Sequence, residues 1–298
     1  MQKVAISLGD FNGVGPEIAL KSHEKIKKWV KPLYVTNKKM LTKAANLLNI
    51  KIPADFEIVE IDGDFEIKPG VVDKEAGKFS FEMFKKAIEL AKEKKVDAIT
   101  TLPIHKEAWS KASIKYKGHT EVLRDEFKKD AIMMLGCEKM YVALFSEHIP
   151  LKEVPNLVKK ERLIKFFINF YNSTKFKNIK VLGLNPHAGD GGVLGDEEIK
   201  DIIPAIKEAN KILNKEIFFG PFVPDTAFTQ NGIFIAMYHD QGLAPLKALY
   251  FEESINVSLN LPILRTSVDH GTAFDIAYKK IAKTKSYENA IKYILNLT

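Results

Sequence analysis

The chain of 298 residues has a single cysteine, Cys137. One thiol cannot close an internal disulfide, so the fold must rest on its core, and a reducing, cytoplasmic setting fits. Cys137 follows the apolar run 132–136 and is expected to be a buried small hydrophobe. No apolar run approaches the ~18–20 residues of a membrane span, and residues 1–8 are too short for the apolar core of a signal peptide. Internal repeats, low-complexity tracts and long linkers are also missing. The two domains that this length allows are therefore expected to be closely joined.

What is present is an α/β pattern. Hydrophobic residues make up 46% of the chain, and strand-like and helical stretches alternate along it. The net charge of +7 comes from lysines interleaved with glutamates, as at Lys85, Lys86 and 92–95. Such mixed runs are solvated helix faces, so no nucleic-acid partner is expected. A basic excess does suit a small anionic substrate.

Strand-like runs fall at 33–36, 57–61, 98–102, 132–135, 141–145, 180–184 and 233–237, after a first one ending at Leu8. The turn Gly9-Asp10-Phe11-Asn12-Gly13-Val14-Gly15 follows that first strand, with Pro16 placed to start a helix and Glu17 in its first turn. It is no dinucleotide fingerprint, because Ile18 stands where the third small residue belongs. It is no phosphate loop either, because Val14 replaces the second glycine. Three helical stripes are expected to face the core: Phe81, Phe84, Ile88 and Ala91; Leu163, Phe166, Phe167 and Phe170; and Ile199, Ile202, Ile203 and Ile206. Gly195-Asp196 is a candidate N-cap for the last of these, and Pro204 should bend or break it.

The seven histidines carry most of the chemistry. His148, His187 and His239 each come two or three residues after a strand-like run, in turns containing Pro or Gly. Ligands of open α/β sheets bind at the carboxyl ends of strands, so these imidazoles are expected along one rim. Each alone is a hydrogen-bonded loop residue; the set of three, with open positions, makes a catalytic divalent-metal site. In Gly118-His119-Thr120-Glu121, His119 and Thr120 either present donors to an anion at a helix start or serve only to cap it. His270 also precedes an expected helix. Lys247 and Arg265 are candidate phosphate or carboxylate clamps, with Asn256 between them as an amide donor.

The ordered motifs GDFNGVGPEI, TLPIHKEAW, GHTE, MMLG, HIPL, GLNPHAGDGGVLGDEE, PDTAF, AMYHDQGLAPLK and NLPILRTSVDHGTAFDIA resemble the 4-hydroxythreonine-4-phosphate dehydrogenase family of pyridoxal phosphate biosynthesis, nearly end to end. The resemblance implies two α/β/α domains with a cleft, like isocitrate and isopropylmalate dehydrogenases and unlike a Rossmann domain. The expected division is 1–120 plus 270–298 for one domain and 121–269 for the other, which would carry the metal site and a dimer interface. His148, His187 and His239 are then the ligands of a divalent ion (Zn, Mg, Co or Mn). His119, Thr120, Lys247, Asn256 and Arg265 hold the phosphorylated substrate. The loop Asp269, His270, Gly271, Thr272, Ala273 is expected on the adenine side of NAD or NADP, and the proton-transfer residue comes from Asp240, Lys247 and Asp225. The resemblance also implies a homodimer whose active site draws on both chains. Five positions depart from the family pattern: Phe11-Asn12 for Pro-Ala, His105 for Asn, and Asn260 and Tyr278 for Gly. The implied reaction is oxidation of 4-phosphooxy-L-threonine to a β-keto acid that decarboxylates to 3-amino-2-oxopropyl phosphate. Alternatives are a decarboxylating dehydrogenase of erythronate or threonate phosphate, and a metal-dependent hydrolase.

Overall fold

The computed structural model describes residues 1–295. Its first stretch alternates strands and helices: β1 Lys3–Ser7, α1 Gly15–Ile26, β2 Lys31–Thr36, α2 Lys38–Leu48, β3 Ile58–Glu60, α3 Lys74–Lys92, β4 Ala98–Thr101, α4 Lys106–Lys111 and α5 His119–Phe127. The second runs β5 Ile132–Cys137, β6 Met140–Leu144, α6 Val154–Leu157, α7 Lys160–Thr174, β7 Ile179–Leu182, α8 Ile203–Leu213, β8 Phe218–Phe222, α9 Pro224–Ala227, β9 Gly232–Ala236 and α10 His239–Tyr250. The chain then adds β10 Ile255–Leu259, β11 Leu264–Val268 and α11 Lys285–Leu295.

Two compact units result. Unit 1 holds residues 1–129, 255–257 and 261–298; unit 2 holds 130–254 and 258–260. Residues 121–129, 255–257 and 261–269, assigned to the second domain from sequence, fall in unit 1. The reason is pairing: β11 lies parallel to β4, Arg265 opposite Ile99 and Thr266 opposite Thr100.

In unit 1 the strand order is β3-β2-β1-β4-β11, all parallel. A parallel strand covered on both faces must be apolar throughout, and Val4, Ala5 and Ile6 of β1 are fully buried. The α3 stripe packs onto this sheet with Phe84, Ile88 and Ala91 buried and Phe81 half-buried. Each large apolar side chain so buried contributes about 1.5–3 kcal/mol. Trp109 is fully buried, and its indole Nε1 donates to Ser80 Oγ at 2.8 Å, joining α4 to α3.

Unit 2 has the strand order β5-β6-β9-β7-β8, with only β5 and β6 antiparallel. Cys137 is buried at the end of β5. Leu163, Phe167 and Phe170 of α7 are buried, as are Ile202 and Ile206, but Ile199 is exposed. Ile199 lies in a single π-type turn, Glu198–Ile202, whose extra residue per turn rotates it off the buried stripe; Pro204 sits in the first turn of α8, where that break ends. The Asp196 side chain does not cap the helix; it pairs with Lys200.

Candidate active site: two groups of loops at strand ends

In unit 2, β6, β9 and β7 are parallel neighbours, Leu144 opposite Ala236 and Val181 opposite Ile235. Their carboxyl ends therefore point the same way, and the loops that leave them carry His148, His239 and His187. The loops are tied to one another. Gln241, buried in the first turn of α10, accepts from Met237 N at 2.7 Å and donates to Gly183 O at 2.6 Å, joining the strand ends before His239 and His187. Ser146 Oγ donates to Met237 O at 2.6 Å, joining the loop of His148.

The His148 and His239 rings are 5.5 Å apart, centre to centre. His239 Nδ1 is 2.6 Å from Asp240 Oδ1, which leaves Nε2 available as a ligand atom. A carboxylate on the far nitrogen of an imidazole is the usual way of fixing a metal-binding tautomer. His187 lies on the surface, in a turn of left-handed backbone. Among the described residues, one group of three His, Cys, Asp or Glu has ligand atoms within 4.8 Å of one another, and it is His23, Glu24 and Asp55. The three loop histidines do not close to that spacing within one chain. His23 is not free for a metal: its Nδ1 faces Tyr34 Oη at 2.9 Å and its Nε2 faces Asp55, which also binds Lys27.

Asp240 and Lys247 share one face of α10 at i, i+7 spacing, with Lys247 Nζ 5.5 Å from the Phe251 ring centre. Asp225 is exposed on α9.

In unit 1, the N-cap of α5 is Gly118, and Thr120 makes no capping hydrogen bond. Capping is instead reciprocal from Glu121, whose Oε2 accepts from Lys117 N at 2.8 Å. That leaves the Thr120 hydroxyl and the helix start to a ligand. His119 is buried edge-on against Phe84 and Trp109, and its Nε2 has no partner. Burial, and then the charge of Arg265, hold His119 well below the usual histidine pKa, so it is a neutral imidazole at pH 7. Arg265 is 3% exposed and donates from Nε and Nη2 to Thr101 Oγ1 at 3.1 and 2.6 Å. Burial pushes its pKa down to about 9, which leaves it charged at neutral pH. Asn256 Oδ1 is also buried without a partner. A neutral donor, a buried cation and an amide in one unit are a fitting set for an anion.

The loop after β11 is fastened to the turn after β1. Val14 N donates to Thr272 O at 3.0 Å, and a Cβ on Gly13 would lie 2.7 Å from that oxygen, so only glycine allows the approach. Gly271 faces open space, which suits a backbone that a dinucleotide could approach. His270 Nδ1 lies 2.9 Å from Gly271 O. No full helix follows His270: Phe274–Ile276 is one 3₁₀ turn, and α11 starts only at Lys285. Sequence reasoning overlooked Asp10 here. It is fully buried, its Oδ1 accepts from Asn12 N at 2.9 Å, and its Oδ2 has no partner. Burial, with a further contribution from Asp73, pushes its pKa up to about 7 despite that hydrogen bond.

Two mainly parallel α/β units, with candidate ligand loops at strand carboxyl ends, have an isocitrate/isopropylmalate dehydrogenase-like fold. The chain superimposes over 100% of its length on 84% of a beta-decarboxylating dehydrogenase from Thermococcus kodakarensis, with a TM-score of 0.52 and 13% identity. More specifically, residues 28–294 match the family Pyridoxal phosphate biosynthetic protein PdxA, and the chain belongs to that family. It is 62% identical over 300 residues to a 4-hydroxythreonine-4-phosphate dehydrogenase of Sulfurimonas denitrificans, covering 99% of this chain and 97% of the relative. The crystal structure of a 4-hydroxythreonine-4-phosphate dehydrogenase from Klebsiella pneumoniae matches with a TM-score of 0.84 and 33% identity, over 99% of this chain and 98% of that one.

Proposed function

We propose that the chain is a 4-hydroxythreonine-4-phosphate dehydrogenase: it oxidises 4-phosphooxy-L-threonine with NAD or NADP, and the β-keto acid loses carbon dioxide to give 3-amino-2-oxopropyl phosphate. The observation that carries this is the 62% identity to the Sulfurimonas enzyme over 99% of the chain. His148, His187 and His239 would hold a divalent ion, which would supply Lewis-acid chemistry at the alcohol oxygen, and a bound dinucleotide would supply the hydride acceptor.

The chain's own residues do the rest. Arg265, His119, Thr120, Asn256 and Lys247 hold the anionic substrate, with Arg265 contributing a fixed charge and His119 a neutral donor. Asp240 orients His239 through the 2.6 Å contact with Nδ1, a role that removes it from the candidates for proton transfer. Lys247, on the same face of α10, is then the better-placed residue for proton transfer, ahead of the exposed Asp225. The 269–273 loop takes the adenine side of the dinucleotide, resting on the Gly13 turn.

The active form is a homodimer. The spacing of the three histidines in a single chain supports a metal site completed across two chains. Exposed Leu151, Val193, Leu194 and Ile199, on the segments that flank His148 and His187, supply apolar surface for that contact. No helix among the described residues is long and apolar enough to cross a membrane, and the lone buried thiol of Cys137 suits a cytoplasmic enzyme.

The test is reduction of NAD or NADP by metal-loaded protein on 4-phosphooxy-L-threonine, with erythronate 4-phosphate as the competing substrate class. A higher kcat/KM on the sugar-acid phosphate would reassign the substrate, and release of product without a dinucleotide would favour a hydrolase.

A further inference from the structure

The turn that carries His187 is built against the preference of its residues. Six consecutive residues have positive φ: His187 at 52°, Ala188 at 54°, Gly189 at 85°, Asp190 at 44°, Gly191 at 64° and Gly192 at 97°. Three of the six have side chains, and L residues avoid this region because Cβ crowds the following carbonyl. Something outside the turn must hold it.

The structure places a buried carboxylate there. Glu198 is 1% exposed, on the π-type turn before α8. Its Oε1 accepts from the backbone nitrogens of Leu184 and Asn185 at 2.7 and 2.8 Å, and its Oε2 accepts from Asn185 Nδ2 at 2.9 Å. All three donors belong to the two residues that lead into Pro186 and His187. The turn also closes over the carboxylate: a Cβ on Gly189 would lie 2.7 Å from Glu198 Oε2. Asn185 O accepts from Ala188 N at 3.1 Å, so the residue that Glu198 grips is itself the anchor of the left-handed segment.

We propose that Glu198 is the positioning residue for His187, fixing the left-handed turn so that its imidazole is presented as a metal ligand before any metal arrives. The carboxylate touches neither substrate nor metal; it acts through the backbone of Leu184 and Asn185. This rests on the assignment of His187 as a ligand, and the experiment separates the two.

The variants are Glu198→Gln, which keeps the shape and loses one acceptor, and the double variant Glu198→Gln with Ala188→Gly, which relieves one disfavoured residue of the turn. The readouts are Mn²⁺ affinity by competition with a chelator, amide resonances of residues 187–191 in metal-free protein, and the KM for the phosphorylated substrate at saturating metal. E198Q is expected to weaken Mn²⁺ binding by about 10–100-fold and to shift or broaden those amide resonances, while KM stays within about twofold. The double variant should recover much of the lost affinity, which a general loss of folding would not allow. If E198Q does not accumulate folded protein, Asn185→Ala removes one of the three donors and should give the same changes in smaller measure. Unchanged amide resonances and unchanged Mn²⁺ affinity in these variants would overturn the proposal. H187N that still binds Mn²⁺ like the parent would instead remove His187 from the ligands, and the amide resonances would then decide whether Glu198 holds the turn.

Discussion

Replacing Arg265 with methionine should separate the cost of a buried charge from its use. The guanidinium is 3% exposed and bonds to Thr101 Oγ1 through two nitrogens. Met fills a similar volume without charge. The Thr101 hydroxyl then loses its donors, a cost of about 1 kcal/mol, while relief of the desolvation that lowers the guanidinium pKa acts in the opposite direction. The folded protein is thus expected to be as stable as the parent or slightly more so. Substrate binding should move the other way. One charge-assisted hydrogen bond to an anion contributes about 1.5–3 kcal/mol, which corresponds to roughly 10–150-fold in KM. Thermal melting and steady-state kinetics on 4-phosphooxy-L-threonine, with dinucleotide binding as the control, make the comparison. An R265M protein that melts much earlier but keeps its substrate KM would refute the reasoning, because Arg265 would then be a structural residue.

Three further outcomes follow from the same geometry. Asp10 has its pKa raised from 3.8 to about 7, so the folded state holds the proton more tightly than the unfolded chain. Its contribution is full below about pH 4 and is lost as pH rises through about 7, by an amount on the order of 4 kcal/mol. D10N should flatten that part of the pH–stability curve in urea melts between pH 5 and 8, and an unchanged slope would show that Asp10 is ionised in the fold. Gly13→Ala should push Thr272, and with it the 269–273 loop, away from the Gly13 turn and weaken dinucleotide binding by about tenfold or more in a fluorescence titration, with metal affinity as the unchanged control. Asp240→Asn should lower metal affinity by about 10–100-fold in chelator competition; full affinity would mean that the contact with His239 Nδ1 does not orient the ring.

Much of the fold was legible because parallel strands buried on both faces leave continuous apolar runs, as in Val4-Ala5-Ile6 and 233–236. The strands that sequence missed break that rule. In β8, Gly220-Pro221 interrupts the pattern. In β11, polar groups satisfy one another inside the sheet, Thr266 Oγ1 against Thr100 Oγ1 at 2.9 Å and Arg265 against Thr101, so a buried strand looked like a stretch of clamps. The shared rim of His148, His187 and His239 was foreseeable from their matching offsets past strand ends. Their supports were not. Gln241 and Glu198 act on backbone groups 58 and 14 residues away, and nothing in local spacing marks such a partner. Two positions read from sequence as departures from glycine also gained a physical meaning. Asn260 and Tyr278 both have positive φ, 60° and 61°. Asparagine tolerates that backbone, and the tyrosine is held there by its hydroxyl donating to Phe11 O at 2.7 Å.

The central claim is that one chain type brings together metal, dinucleotide and phosphorylated amino acid for a decarboxylating oxidation. It is tested most directly by incubating metal-loaded protein with 4-phosphooxy-L-threonine and NAD or NADP, and following reduced dinucleotide and carbon dioxide together. Equal amounts of both are expected, abolished by chelator and restored by a divalent ion. Turnover of the substrate with no reduced dinucleotide, or no turnover with either dinucleotide, would contradict it.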